Sequence, residues 1–263
     1  MNKGSSCVGT CALCRNTAPL CDSHLIPKAV FRLLRKMSAR NRSPIVFGEG
    51  FAYATDRQVA DYLLCRDCED RFGRRGESWT LENCFRGTSR FRLRSYIESV
   101  TPDDQYDDLR IYSLAKNPMV TADDTDRLIY SAMSVFWRAA AHEWSIDGRL
   151  IHVNLGSYCE SFRLFLLDQG PFPPNTVLVV RLVSDDRMSS FMNAPESKNG
   201  NGFHYHSFTI PGMMFLLYAG GKLPSAYFDR STAPNPGRYV SVCPSGDMTW
   251  VADMAARHRS AGC

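Results

Sequence analysis

Ala29, Val30, Leu33, Leu34 and Met37 recur at the i, i+3, i+4 spacing of one helix face, while Lys28, Arg32, Arg35 and Lys36 fall on the others. Pro27 opens this helix at a position where a missing N–H costs no hydrogen bond. The clearest helix is predicted over 123–144, where Ile129, Ala132, Met133, Phe136, Trp137 and Ala140 form a wide apolar face. Asp123 and Asp124 stand where an N-cap and first turn favour negative charge. A second helix is expected over 157–168, ended by the proline-rich stretch 170–175.

Beyond residue 175 the period changes from helix to strand. TVLVVRLV (176–183) reads as a buried strand, HYHSFTI (204–210) alternates, and 212–221, 237–244 and 248–254 are further apolar runs. NAPESKNGNG (193–202) is predicted as a polar loop. Upstream, 38–58 reads as a loop with a short strand near 45–47, and 59–75 as a strand or turn leading into a helix. The expected fold class is α+β. An N-terminal module over 1–100 is followed by an α+β domain over 101–263, with a helical middle and a β-rich end.

Composition narrows the class without naming a function. The 263 residues are 44% hydrophobic and 22% charged, which suits a globular chain with a real core. No apolar run reaches the roughly 18–20 residues of a membrane helix, and the first residues carry no signal-type stretch, so a cytoplasmic protein without membrane contact is expected. Residues 1–100 hold 17 Lys/Arg against 10 Asp/Glu, whereas the remainder holds 14 against 17. A basic N-terminal third suits either a polyanion-binding module or a solvated surface.

Ten cysteines in a chain long enough to fold without staples point away from a disulfide framework. Cys11-x-x-Cys14 and Cys65-x-x-Cys68 are two knuckles that together close a tetrahedral site. Thiolates suit Zn²⁺, and four of them leave no open position, so the ion would be structural and coupled to folding. Cys7 and Cys21 are alternative ligands in neither knuckle; Cys84, Cys159 and Cys243 read as small core residues. His204 and His206 share one face of their strand, but no third ligand is evident nearby.

A Cys-x-x-Cys, then SHLIPK (23–28), then LLCRDCEDRF (63–72) resembles the HNH endonucleases over about residues 7–80. The resemblance implies a zinc-braced treble-clef or ββα-metal scaffold, with His24 as the base that activates water against a phosphodiester. Glu69 stands where many members carry His or Asn beside a catalytic Mg²⁺ or Mn²⁺, and Asp22 would assist two residues before His24. The usual acid immediately before the histidine is Ser23 here; of the middle Asn only Asp61 remains, and the third His is absent. Arg71, Arg74 and Arg75, with Arg86, Arg90, Arg92 and Arg94 further on, would neutralise phosphates without reading sequence.

Two functions are therefore expected. One is a metal-dependent nuclease on DNA or RNA, by analogy a phage-defence effector. The other is a catalytically inactive zinc-braced scaffold that binds nucleic acid or protein. The C-terminal region would serve a protein partner or a homodimer contact.

Overall fold

The computed structural model describes residues 7–37, 45–48, 51–54, 58–85, 91–146, 149–183, 192–200 and 202–243; the strand expected over 248–254, and Arg86 and Arg90, lie outside them. The chain opens with β1 (Val8–Thr10) and β2 (Thr17–His24), continues through α1 (Lys28–Met37), β3 (Ile45–Gly48) and β4 (Phe51–Ala54), and reaches β5 (Ala60–Cys65). β5 returns antiparallel to β2, giving a three-stranded sheet in the order β1-β2-β5. α2 (Arg66–Phe72) follows β5 without a loop and passes through a π-helical turn, Gly73–Glu77, into α3 (Ser78–Phe85) and then α4 (Arg92–Glu98).

The second half adds β6 (Asp104–Tyr106), β7 (Leu109–Ser113), α5 (Ala122–Ala141), β8 (Trp144–Ile146), β9 (Arg149–Ile151) and α6 (Cys159–Leu166). It finishes with β10 (Thr176–Val183), β11 (Met192–Asn199), β12 (His204–Ile210), β13 (Met213–Ala219), α7 (Ser225–Asp229) and β14 (Tyr239–Cys243). Among the described residues, nine strands form one mixed sheet in the order β4-β3-β11-β12-β13-β10-β14-β7-β6.

α5 is the element that joins the two halves. Every residue from Leu128 to Ala139 is buried, so this helix is enclosed all round rather than along one face. One side meets the sheet, where Phe136 and Phe208 lie edge to face at 4.9 Å. The other side meets α2, whose Phe72 packs edge-on against both Tyr130 and Trp137 at 6.0 Å. Gly76 in the π-helical turn lets the two backbones touch: a Cβ there would stand 2.6 Å from the Arg127 carbonyl oxygen and 2.7 Å from the Ser131 nitrogen.

One continuous cluster of buried side chains runs from Cys11 to Val242, with members on both sides of residue 100. Two expectations need correction. The N-cap of α5 is Thr121: its hydroxyl accepts from the Asp124 N–H at 3.1 Å, and the Asp124 carboxylate accepts from the Thr121 N–H at 2.9 Å. The expected polar loop at 193–202 is largely β11, an internal strand between β3 and β12. Pro195 is tolerated because the β11–β12 register slips between Asn193 and Glu196, and a bulge needs no proline N–H.

His206 shows what burial on the inner sheet face costs. It is fully buried, with Nδ1 2.8 Å from the Ser197 hydroxyl, and burial followed by the neighbouring His204 drives its pKa down to about 4. The unfolded chain protonates this ring near 6.5. Stability from the neutral ring is therefore complete above 6.5 and lost as the pH falls towards 4. Urea unfolding at pH 5 should show about 2 kcal/mol less stability than at pH 8, and His206→Gln should remove most of that difference.

Candidate metal centre and the histidine beside it

The first knuckle is the turn between β1 and β2. The Cys11 N–H donates to the Asn16 carbonyl at 2.9 Å, the Arg15 N–H returns to the Cys11 carbonyl at 2.8 Å, and Arg15 takes a left-handed φ of 64°. That tight turn aims Cys11 and Cys14 at one point. The second knuckle straddles the junction of β5 and α2, with Cys65 as N-cap and Cys68 in the first turn. The Ala12 N–H donates to the Leu63 carbonyl at 3.0 Å and locks one knuckle to the other.

The four sulfurs lie within 4.8 Å of one another and can hold a metal ion such as zinc. Cys14 Sγ and Cys65 Sγ are 3.8 Å apart, and the Cys65 N–H points at Cys11 Sγ from 3.3 Å. Hydrogen bonding from the Cys68 thiol, joined by backbone N–H groups and opposed by burial, draws Cys11 down to about 4. The same contact drives Cys68 upward. Only Cys11 is drawn towards thiolate; burial raises Cys65 as well, so a cation bound here would have to displace the protons that these neighbours keep. Cys7 and Cys21 stay outside the four, while Cys84 and Cys243 are buried and Cys159 is half-buried.

α6 braces this centre from outside. Arg163 donates to the Leu13 carbonyl at 2.6 Å, and Glu160 pairs with both Arg163 and Arg15. Asp168, just beyond α6, takes two of the three arginines expected at nucleic acid: Arg71 at 2.8 Å and Arg75 at 2.5 Å. Arg75 also lies over the Tyr130 ring. Arg74 is exposed and, among the described residues, makes no such ion pair. The basic surface legible in the sequence is thus partly cancelled by a carboxylate ninety residues away.

His24 ends β2, half-buried and opposite Ala60. Its carbonyl accepts from Arg138 Nη1 at 2.7 Å, and the same fully buried guanidinium pairs with Glu77 and reaches Ser134. Glu69, on the α2 face towards β2, lies beside Ser23. Burial raises the Glu69 pKa; the Ser23 hydroxyl and the charges of Arg138 and His24 oppose that rise, while Glu77 adds to it. Glu69 Oε1 is buried with no hydrogen-bond partner. Asp22 is exposed and does not converge with them: among the described residues, only the four cysteines bring three or more such ligand atoms within 4.8 Å.

Two contributors were not legible in the sequence. Arg138 lies within the predicted helix, and nothing in its spacing marks it as enclosed. His142, the residue after α5, sets Nε2 2.8 Å from Asp61 on β5. The Tyr62 N–H and then His142 hold the Asp61 carboxyl below its usual range.

No helix among the described residues is long and apolar enough to cross a membrane. Comparison of the chain with protein-family models, with curated proteins and with solved structures gives no match to any of them.

Proposed function

We propose that this chain is an HNH-type, metal-dependent phosphodiesterase of nucleic acid, built on a treble-clef-like module with a structural zinc at Cys11, Cys14, Cys65 and Cys68. The observation that carries the reading is the order of parts around the cysteines. A knuckle leads into β2, β2 ends on His24, and β5 runs back into a helix whose first turn presents Glu69 towards the same corner. A cytoplasmic setting would keep the four thiols reduced for the metal.

In this reading His24 accepts the proton of the attacking water, a task suited to an imidazole near neutral pH. The Arg138 hydrogen bond to its carbonyl fixes the end of β2 and so the placement of the ring. Glu69 and Ser23 offer hard oxygen donors, and the unpartnered Oε1 suits a cation such as Mg²⁺ or Mn²⁺. Such an ion, when bound, stabilises the charge that develops on the phosphate. Asp22 shares the strand face of His24 by the two-residue period but is exposed and stands apart from the His24–Glu69 corner. Arg74 is the member of its cluster open to a phosphate backbone.

A second reading, a zinc-braced scaffold without chemistry, draws on Arg138 itself. A buried guanidinium between Glu77 and the His24 carbonyl already supplies a positive charge at this corner. Incubation with plasmid DNA and with RNA, plus Mg²⁺ or Mn²⁺, separates the two. Cleavage is expected, falling at least about a hundredfold in His24→Ala and strongly in Glu69→Gln. Cleavage that survives His24→Ala would remove His24 from the mechanism, and none with either metal would favour the scaffold.

A further inference from the structure

The sheet face turned away from α5 carries polar groups that the proposed nuclease does not use. A cavity of about 260 Å³ opens there, across β10 to β14. The strand registers arrange its lining in rows, because residues directly opposite in a sheet share a face. The deepest row runs Asn193, Thr209, Met214, Arg181 and Ser241, each paired with the next across five strands; its middle three line the cavity, and Asn193 and Ser241 flank them at either end. The next row holds Glu196 opposite Ser207, and the outer one holds Tyr205 between Lys198 and Tyr218.

Two members of the deepest row are buried and unanswered. Asn193 is 1% exposed and Ser241 7% exposed, yet Asn193 Oδ1 and Ser241 Oγ have no hydrogen-bond partner. Native interiors rarely leave such groups bare, and each costs free energy unless a ligand or water answers it. They lie away from the main core, where these strands present Val180, Leu182, Phe208, Phe215 and Val242 alongside the buried His206.

We propose that this face is a binding site for a small aromatic anion of mononucleotide size. At the cavity the deepest row offers the Thr209 hydroxyl and the Arg181 guanidinium, which suit a phosphate or carboxylate, with the Ser241 hydroxyl flanking them; the bare Asn193 oxygen is an acceptor and answers a donor instead. The outer row offers ring faces: Tyr205 and Tyr218 lie 5.2 Å apart, and Tyr218 is backed by a stacked Tyr227 at 4.4 Å. Burial holds the Tyr218 phenol up at about 12 and raises that of Tyr205, so both remain neutral donors at physiological pH. Glu196, which accepts from the Ser207 hydroxyl at 3.3 Å, stands between the two rows, where a sugar diol could donate to it. The volume is near the lower end for small-molecule sites, which excludes a dinucleotide lying wholly inside.

Calorimetric titration of the zinc-loaded full chain with 5′-AMP, adenosine and inorganic phosphate tests this. AMP should bind saturably, with adenosine and phosphate each at least about tenfold weaker, since each fills one row only. Ser241→Ala removes an unanswered hydroxyl, so it should keep or raise the unfolding midpoint while weakening AMP about tenfold; Arg181→Gln should weaken it further. Absence of saturable AMP binding at ligand concentrations of about 1 mM and above would overturn the proposal. Unchanged AMP affinity in a folded Ser241→Ala/Arg181→Gln chain would place any binding elsewhere and overturn it equally. Neither result depends on nuclease activity.

Discussion

Removal of the metal with a strong chelator should unfold the N-terminal module rather than merely loosen it. The free energy at stake is large, about 10–16 kcal/mol for structural zinc among thiolates near neutral pH. The reason lies in what the four sulfurs hold together. Cys11, Leu13 and Leu64 are fully buried, and they belong to the same cluster as α5 and the sheet. Releasing the knuckles therefore opens the main core from one side. Purified protein should contain one zinc per chain, and chelation should abolish cooperative thermal unfolding. Cys68→Ser should reproduce the chelated state, whereas Cys159→Ser, outside the four, should retain the metal and the transition. Soluble, cooperatively folded protein without zinc would refute the structural assignment.

The second large effect is expected at Arg138. This guanidinium is 1% exposed, and its partners are the Glu77 carboxylate, the His24 carbonyl, and the Ser134 carbonyl and hydroxyl. Arg138→Met would leave the Glu77 carboxylate without its buried partner. Breaking one side of a buried pair in this way costs about 3–5 kcal/mol. For a chain of this length that corresponds to a fall of about 10 °C in Tm. A second change, Glu77→Leu on the Arg138→Met background, should recover most of the loss, because apolar replacement of both partners removes the stranded charge. Urea and thermal unfolding of the two single variants and the double variant measure the coupling. Additive losses would show that the two residues act independently.

Local chemistry explains which parts were readable beforehand. The two knuckles are short-range motifs, and spacing alone brings each pair of sulfurs to one point, so all four candidate ligands were correctly grouped. α1 and the strands β10, β12, β13 and β14 were equally plain, because period and apolar content state the buried face directly. α5 was recognised as a helix, but its Thr121 cap lay just before the expected start. β11 was missed: Asn, Pro, Glu, Ser and Lys have turn chemistry, and only cross-strand pairing to β12 with a bulge around Pro195 makes them a strand. Tertiary context outweighed propensity there.

Charge was the least readable property, because its meaning depends on distant partners. Arg71 and Arg75 read as a polyanion surface, and Asp168 answers both. Arg138 is enclosed, which no local pattern around it announces. By itself, then, the sequence determined the four-cysteine cluster, the main helix and the β-rich end, all of which follow from local spacing. Only the tertiary structure decided which charges remain available, and whether the two expected halves share a core. It also brought a row of unanswered polar groups together on one sheet face. Those properties arise between residues that meet through folding, and no local pattern encodes them.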